Sequence, residues 1–257
     1  MLKRASLVIQ VINALILREL KTRFGGFRFG YLWAVGEPVA HVVVLSAIFG
    51  FRSPTTPEGI DFPVFIATGI IPYLFFTRMV TRGMTTVDGN RPLFAYPQVR
   101  PFDALAARAA LEAVIQSAVF MLVIGLGAWL GYDVACQNPL AVLGIFIALG
   151  MFGLGIGALA CVADTFVSDV GQVIGIVMRV LYFTSGIFFS MERIPTEYHP
   201  WLLWNPVLHG LELLRESYFR QIDSSFGDPA YLTWWMVASL ALGLLTFHVY
   251  RSRMVAT

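Results

Sequence analysis

Apolar residues in this chain fall into runs of about twenty, the length that crosses a hydrocarbon core about 30 Å thick. Polar stretches separate the runs rather than alternate within them. The pattern predicts six membrane-spanning helices, at residues 31–51, 62–80, 111–130, 140–162, 170–189 and 232–250. Ahead of the first, Ser6, Gln10, Asn13 and Lys21 recur on one helical face while Val8, Val11, Ile12 and Leu15 fill the other, which predicts an amphipathic helix lying in the membrane interface. Lys3 and Arg4 before an apolar stretch imitate a signal peptide, but Arg18, Glu19, Lys21 and Arg23 stand where a small-residue cleavage site belongs. Residues 17–38, LRELKTRFGGFRFGYLWAVGEP, then join a charged helix end, a Gly-Gly break, a basic-aromatic run and a descent into lipid. The expected class is an all-α membrane protein in one domain, 1–257. Within it, 1–29 forms the interface helix, 30–190 five spans, 191–230 an external re-entrant segment, and 231–257 the last span and tail.

Two connections are long. Between the second and third spans, Gly89, Pro92, Pro97 and Pro101 surround an apolar knot of Leu93, Phe94 and Tyr96; the prolines restrict its shapes, and aromatics on such a loop suit a docking surface or the interfacial belt. Before the last span, IPTEYHPWLLWNPVLHGLELLRESYFRQI sets Leu208, Leu211 and Leu214 on one helical face and His209, Glu212 and Glu216 on another. Such a helix is too charged to span unaided, so it lies in the outer interface, re-enters partway, or forms a plain surface helix.

Composition agrees with the pattern: 257 residues, 57% hydrophobic and 13% charged, against roughly 25% charged in a soluble domain. A net charge of +2 gives no footing for nucleic-acid binding. Lys3, Arg4, Arg18, Lys21, Arg23 and Arg28 precede the first span; Arg78, Arg82, Arg91, Arg100 and Arg108 gather around the second connection; Arg251 and Arg253 follow the last span. The positive-inside rule then puts both termini in the cytoplasm. Cys136 and Cys161, placed at the two ends of one helix, stand about 37 Å apart, beyond the reach of a disulfide.

Candidate chemistry is sparse. The chain carries no phosphate loop, so it does not hydrolyse nucleotide by itself, and no HExxH, CxxC or GxSxG; its four histidines are scattered. Glu37 and His41 stand at i, i+4 in the first span, open to three readings: proton relay, lining of a polar path, or a structural contact. Gly153 with Gly157, and Gly171 with Gly175, have the spacing of close helix packing. Phe27, Phe29, Tyr31 and Trp33 at the inner boundary, with Tyr73, Phe75 and Phe76 in the second span, could face sugar rings or belong to belt and core. A secondary transporter built on Glu37 and His41 lacks repeat symmetry, and a membrane-embedded transferase lacks a cluster of polar catalytic groups.

Four stretches carry a resemblance: 17–38 quoted above, FPVFIATGIIPYLFF (62–76), LFAYPQVRPFDALAARAALE (93–112) and WLLWNPVLHGLELLRE (201–216). Together they resemble the membrane subunits of ABC-type polysaccharide exporters, in particular the inner-membrane permease of capsular polysaccharide export, the KpsM family. The resemblance implies a multi-pass permease of the Gram-negative inner membrane, paired with a second copy of itself and two cytoplasmic ABC ATPases that bind ATP and Mg. The chain itself is then no enzyme and holds no cofactor. Its implied cargo is a lipid-linked acidic polysaccharide, with O-antigen or teichoic acid as the alternative; further partners are a periplasmic adaptor of the co-polymerase type and an outer-membrane export channel. Regionally, the resemblance assigns ATPase coupling to Arg18, Glu19, Lys21, Asn90, Arg91, Pro92, Leu93, Phe94 and Tyr96, with a second contact at Asp164, Phe166 and Asp169. It places the external gate around Trp201, Trp204, Asn205, His209 and Tyr218. A substrate doorway and path is expected from Arg28, Phe29, Tyr31, Trp33, Glu37, His41, Tyr73, Phe75, Arg78 and Arg82.

Overall fold

The computed structural model describes residues 2–24, 30–50, 55–56, 59–96, 98–222 and 225–256; within these, the side chains of 2–8, 24, 30–33 and 256 are outside the description. Nine α-helices are present among the described residues: α1 Leu2–Phe24, α2 Gly30–Gly50, α3 Phe62–Met84, α4 Pro101–Trp129, α5 Pro139–Asp164, α6 Val170–Thr184, α7 His199–Leu202, α8 Pro206–Tyr218 and α9 Pro229–Ala256. A 3-10 helix, Asp88–Ala95, lies between α3 and α4. The only β pairing among the described residues is one isolated bridge between Thr55 and Asp61.

Local chemistry sets the helix ends. Prolines stand in the first turns of α3, α4, α5 and α8, where a missing N–H costs nothing. The Asn138 side chain accepts from the Ala141 N–H at 3.2 Å and caps α5, and Asn205 caps α8 through the Val207 N–H at 3.0 Å.

At the centre α3 is buried over 83% of its most apolar stretch. Glycine faces let its neighbours approach. A Cβ on Gly153 would come 2.6 Å from the Phe76 carbonyl oxygen, and one on Gly157 would come 2.8 Å from that of Met79, so α5 lies backbone against backbone on α3. The opposite edge of α5 meets α9, where a Cβ on Gly155 would fall 2.5 Å from the Leu240 nitrogen. Gly171 and Gly175 make no comparable contact: a Cβ on Gly175 meets nothing within 4 Å.

The all-helical class holds, with differences in the spans. Among the described residues, four helices are long and apolar enough to cross a bilayer: α3, α4, α5 and α9. The expected first span falls within α2, which is apolar over its described stretch Ala34–Gly50, and the fifth is a shorter apolar helix, Val170–Thr184. Helix α6 stops at Thr184, ahead of the expected 189, because Gly186 turns the chain with φ 76°. Helix α4 begins at Pro101, ten residues before the expected span, since its early charges are satisfied: Asp103 accepts from the Arg100 N–H, and Arg108 pairs with Glu19 at 3.2 Å.

The segment before α9 is not a plain surface helix. Leu208, Leu211 and Leu214 are buried, and so are the polar side chains of His209, Glu212 and Arg215. Helix α8 is inserted against α3, α5 and α9.

Candidate functional site

Positive charge concentrates where α1 crosses the ends of α3 and α4. Val11, Ile12, Leu15 and Ile16 seat α1 on Ala104, Ala107, Leu93, Phe94 and Val99. Its polar residues then reach two other elements, the Asp88–Ala95 turn and α4. The Arg18 guanidinium donates to the Asn90 side-chain oxygen at 2.7 Å and to the Gly89 carbonyl at 3.2 Å. Glu19 pairs with Arg108 of α4. Arg23 donates to Glu112 at 2.6 Å, and the Glu112 side chain is 2% exposed. Glu112 also accepts from Gln116 at 2.9 Å and lies 3.9 Å from Arg78, which holds Glu37 at 2.7 Å. One chain of charges therefore links α1, α4, α3 and α2. A buried carboxylate between two guanidiniums is held by geometry, and removing either partner exposes the full desolvation cost of the rest.

This arrangement divides the expected coupling residues. Arg18, Glu19 and Asn90 turn inward and tie α1 to the Asp88–Ala95 turn; Asn90 is 3% exposed and donates to the Thr86 carbonyl. Leu93 and Phe94 pack beneath the turn. Lys21, Arg91, Pro92 and Tyr96 face outward, with Arg91 paired to Asp88 at 2.9 Å. On the adjoining α5–α6 turn Phe166 and Asp169 are exposed and Asp164 is half-buried. Asp164 and Arg91 line one cleft of about 280 Å³ between the two turns.

The expected path residues separate as well. Arg28 and Phe29 lie outside the described residues, and Tyr31 and Trp33 belong to α2 with side chains outside the description. Glu37 faces Arg78, whereas the His41 Nδ1 lies 3.0 Å from the Glu37 main-chain carbonyl and the His41 ring approaches Tyr182. Tyr73 and Phe75 are core: the Tyr73 hydroxyl donates to the Met178 carbonyl, and Phe75 stacks on Phe146 at 4.6 Å. Arg82 is exposed.

At the far end, Trp201 and Trp204 point outward at 83% and 79% exposure. The other three expected gate residues fix α8 in place. Asn205 donates to the Ser185 hydroxyl at 2.8 Å, and the Tyr218 hydroxyl donates to the Val134 carbonyl at 2.8 Å. His209 Nδ1 accepts from the Asp228 N–H at 3.0 Å, so its proton sits on Nε2 and is donated to the Leu203 carbonyl at 2.8 Å.

Sequence reasoning passed over Glu112 and Arg215. Glu112 stood at the start of an expected span, where a carboxylate is itself a signal. Arg215 is 0% exposed. Its guanidinium donates to the carbonyls of Gly186 at 2.5 Å, Ile187 at 2.9 Å and Phe189 at 3.2 Å, covers the Phe65 ring at 3.8 Å, and lies 3.9 Å from Glu212. It ties α8 to the chain leaving α6, and no neighbouring residue in sequence announces those acceptors.

A sequence profile described as ABC-2 type transporter matches residues 10–219. The polysialic acid transport protein KpsM of Escherichia coli is 37% identical over 242 residues, covering 94% of this chain and 93% of the relative. The capsule polysaccharide export inner-membrane protein BexB of Haemophilus influenzae is 28% identical over 247 residues, 94% of this chain and 92% of its own length. The O-antigen export system permease protein RfbA of Myxococcus xanthus is 25% identical over 194 residues, 73% of this chain and 71% of its own.

Proposed function

The chain belongs to the ABC-2 type transporter family, and on that premise we propose that it is the membrane subunit of an ATP-driven exporter of lipid-linked acidic capsular polysaccharide. It works as a pair of identical permeases in the Gram-negative inner membrane, with two cytoplasmic ATPases that bind ATP and Mg, and hands its cargo to a periplasmic adaptor and an outer-membrane channel. Both termini are cytoplasmic, and α2, α3, α4, α5, α6 and α9 are the six spans.

The capsule assignment is favoured over O-antigen because the capsule relatives match over nearly the whole chain and the O-antigen relative over less of it. A proton-coupled alternative loses its footing in the geometry: the Glu37 carboxylate is held by Arg78, and His41 meets a main-chain carbonyl.

One observation carries the mechanism. Helix α1 and the Asp88–Ala95 turn are locked into one body by Arg18 and Asn90, with Lys21, Arg91 and Tyr96 exposed on it. A mixed surface of charge and aromatic rings suits a protein partner. Closure of the ATPase dimer pushes this body, and the charges joining Arg23, Glu112, Arg78 and Glu37 pass the displacement to α4, α3 and α2. Arg82, exposed beside them, meets the anionic cargo at the inner boundary.

The test is complementation of a capsule-export strain lacking its own permease, with the cognate ATPase supplied. Arg28 and Arg82 replaced together by Gln, with the Arg78 ion pairs left in place, are expected to lower surface polysaccharide several-fold while insertion and ATPase co-purification persist. Unchanged export removes the cationic doorway, and failure to co-purify any ATPase removes the class of function.

A further inference from the structure

Helices α4 and α9 hold 29 and 28 residues, about 42–44 Å at a rise of about 1.5 Å per residue. A hydrocarbon core takes about 30 Å of that, so each helix projects beyond it. The first turns of α4 and the last turns of α9 overhang together, because Leu105 packs in one cluster with Phe247 and Met254. Between these overhangs lies a groove of about 650 Å³ lined by Val99, Arg100, Pro101, Phe102, Asp103, Phe247, His248 and Arg251.

Two properties set this groove apart. Arg100, His248 and Arg251 are all exposed. Arg251 has only His248 within reach, at 3.3 Å, and neither arginine meets a carboxylate among the described residues. The one acid in the lining, Asp103, is 6% exposed and is occupied as the acceptor for the Arg100 N–H at 3.2 Å. The remaining wall is apolar, with Phe102 52% exposed beside buried Phe247. Uncompensated guanidiniums above an apolar wall at the membrane boundary match a phosphate that carries acyl chains, and basic pockets between helix ends on the cytoplasmic side take anionic head groups in this way.

We infer that this groove is a binding site for an anionic phospholipid of the inner leaflet, with Arg100 and Arg251 forking the phosphate and Phe102 lying along the acyl chains. The site is separate from the doorway at Arg82 and does not depend on which polymer is exported. An anionic lipid here spans the start of α4 and the end of α9.

The experiment uses the full-length protein purified in a neutral detergent. Thermal unfolding is followed while phosphatidylglycerol, phosphatidylcholine or inorganic phosphate is added. Phosphatidylglycerol is expected to raise the midpoint by several degrees and the other two additions to leave it in place. Arg100→Gln with Arg251→Gln is expected to lose at least half of that response, Arg100→Lys with Arg251→Lys to retain most of it, and Arg220→Gln, an exposed arginine at the opposite end, to behave as the parent. An equal response of the double Gln variant overturns the site. An equal response to inorganic phosphate overturns the lipid as its ligand, and an equal response to phosphatidylcholine overturns the role of charge. Should the double Gln variant not fold, native mass spectrometry of the single variants decides: a bound phosphatidylglycerol population unchanged in both overturns the proposal.

Discussion

Arg215 stands in a place that water does not reach, and three main-chain carbonyls with one aromatic face replace its hydration. Truncation to Ala leaves those carbonyls without a donor and Glu212 without its cation, which is expected to cost about 3–5 kcal/mol. Thermal unfolding in detergent checks this as a lowered midpoint. Arg215→Lys keeps the charge but offers a single compact ammonium in place of a fork, so only part of the loss is recovered. Gly69 belongs to the same arrangement, since a Cβ there would come 2.5 Å from the Arg215 Nη2. None of this was legible beforehand, because the acceptors lie 26 to 29 residues upstream and a main-chain carbonyl leaves no mark in a sequence. Asn90 and Arg18 were legible as a region, and only the fold shows that they face each other.

Helix α5 touches α3 along one edge and α9 along another, and on both edges the contact is backbone close. Gly155→Val is expected to overpack the α9 contact and cost about 1–3 kcal/mol, seen as a lower unfolding midpoint and a smaller folded yield. Gly175→Ala in α6 is expected to have the opposite sign. Nothing lies within 4 Å of the added carbon, and a helix-interior glycine costs about 0.5–1 kcal/mol relative to Ala. Two pairs with the same spacing thus have different roles, and spacing alone does not separate them. Hydropathy located all the apolar helices because it reports what lipid requires, but it mislaid their ends. The α4 start was hidden by charges whose partners lie on another helix, and the α6 end by a glycine turn inside an apolar run.

For the whole molecule, orientation is the property with the widest consequences, and two thiols read it. Cys136 is half-buried in the connection between α4 and α5, and Cys161 is buried near the end of α5 that meets the Asp88 turn. If both termini lie in the cytoplasm, as proposed, a membrane-impermeant maleimide added to spheroplasts is expected to label Cys136 and leave Cys161 unmodified. Burial pushes the Cys136 thiol up from its ordinary range. The reactive thiolate therefore forms at higher pH, and labelling is expected to accelerate as pH rises past the usual thiol range. Labelling of Cys136 only after permeabilisation would reverse the assigned orientation. The amphipathic α1, the charge bias and the absence of a phosphate loop were all readable from residue order, whereas the depth of α8 was not, because its polar face finds partners only in the assembled bundle. That depth bears on how the protein is made. Arg215 leaves the ribosome 29 residues after Gly186, and Phe65 is older still, so the residues that receive the guanidinium are made before it. In order of synthesis α8 therefore follows every element that holds its guanidinium, and only α9 comes after it.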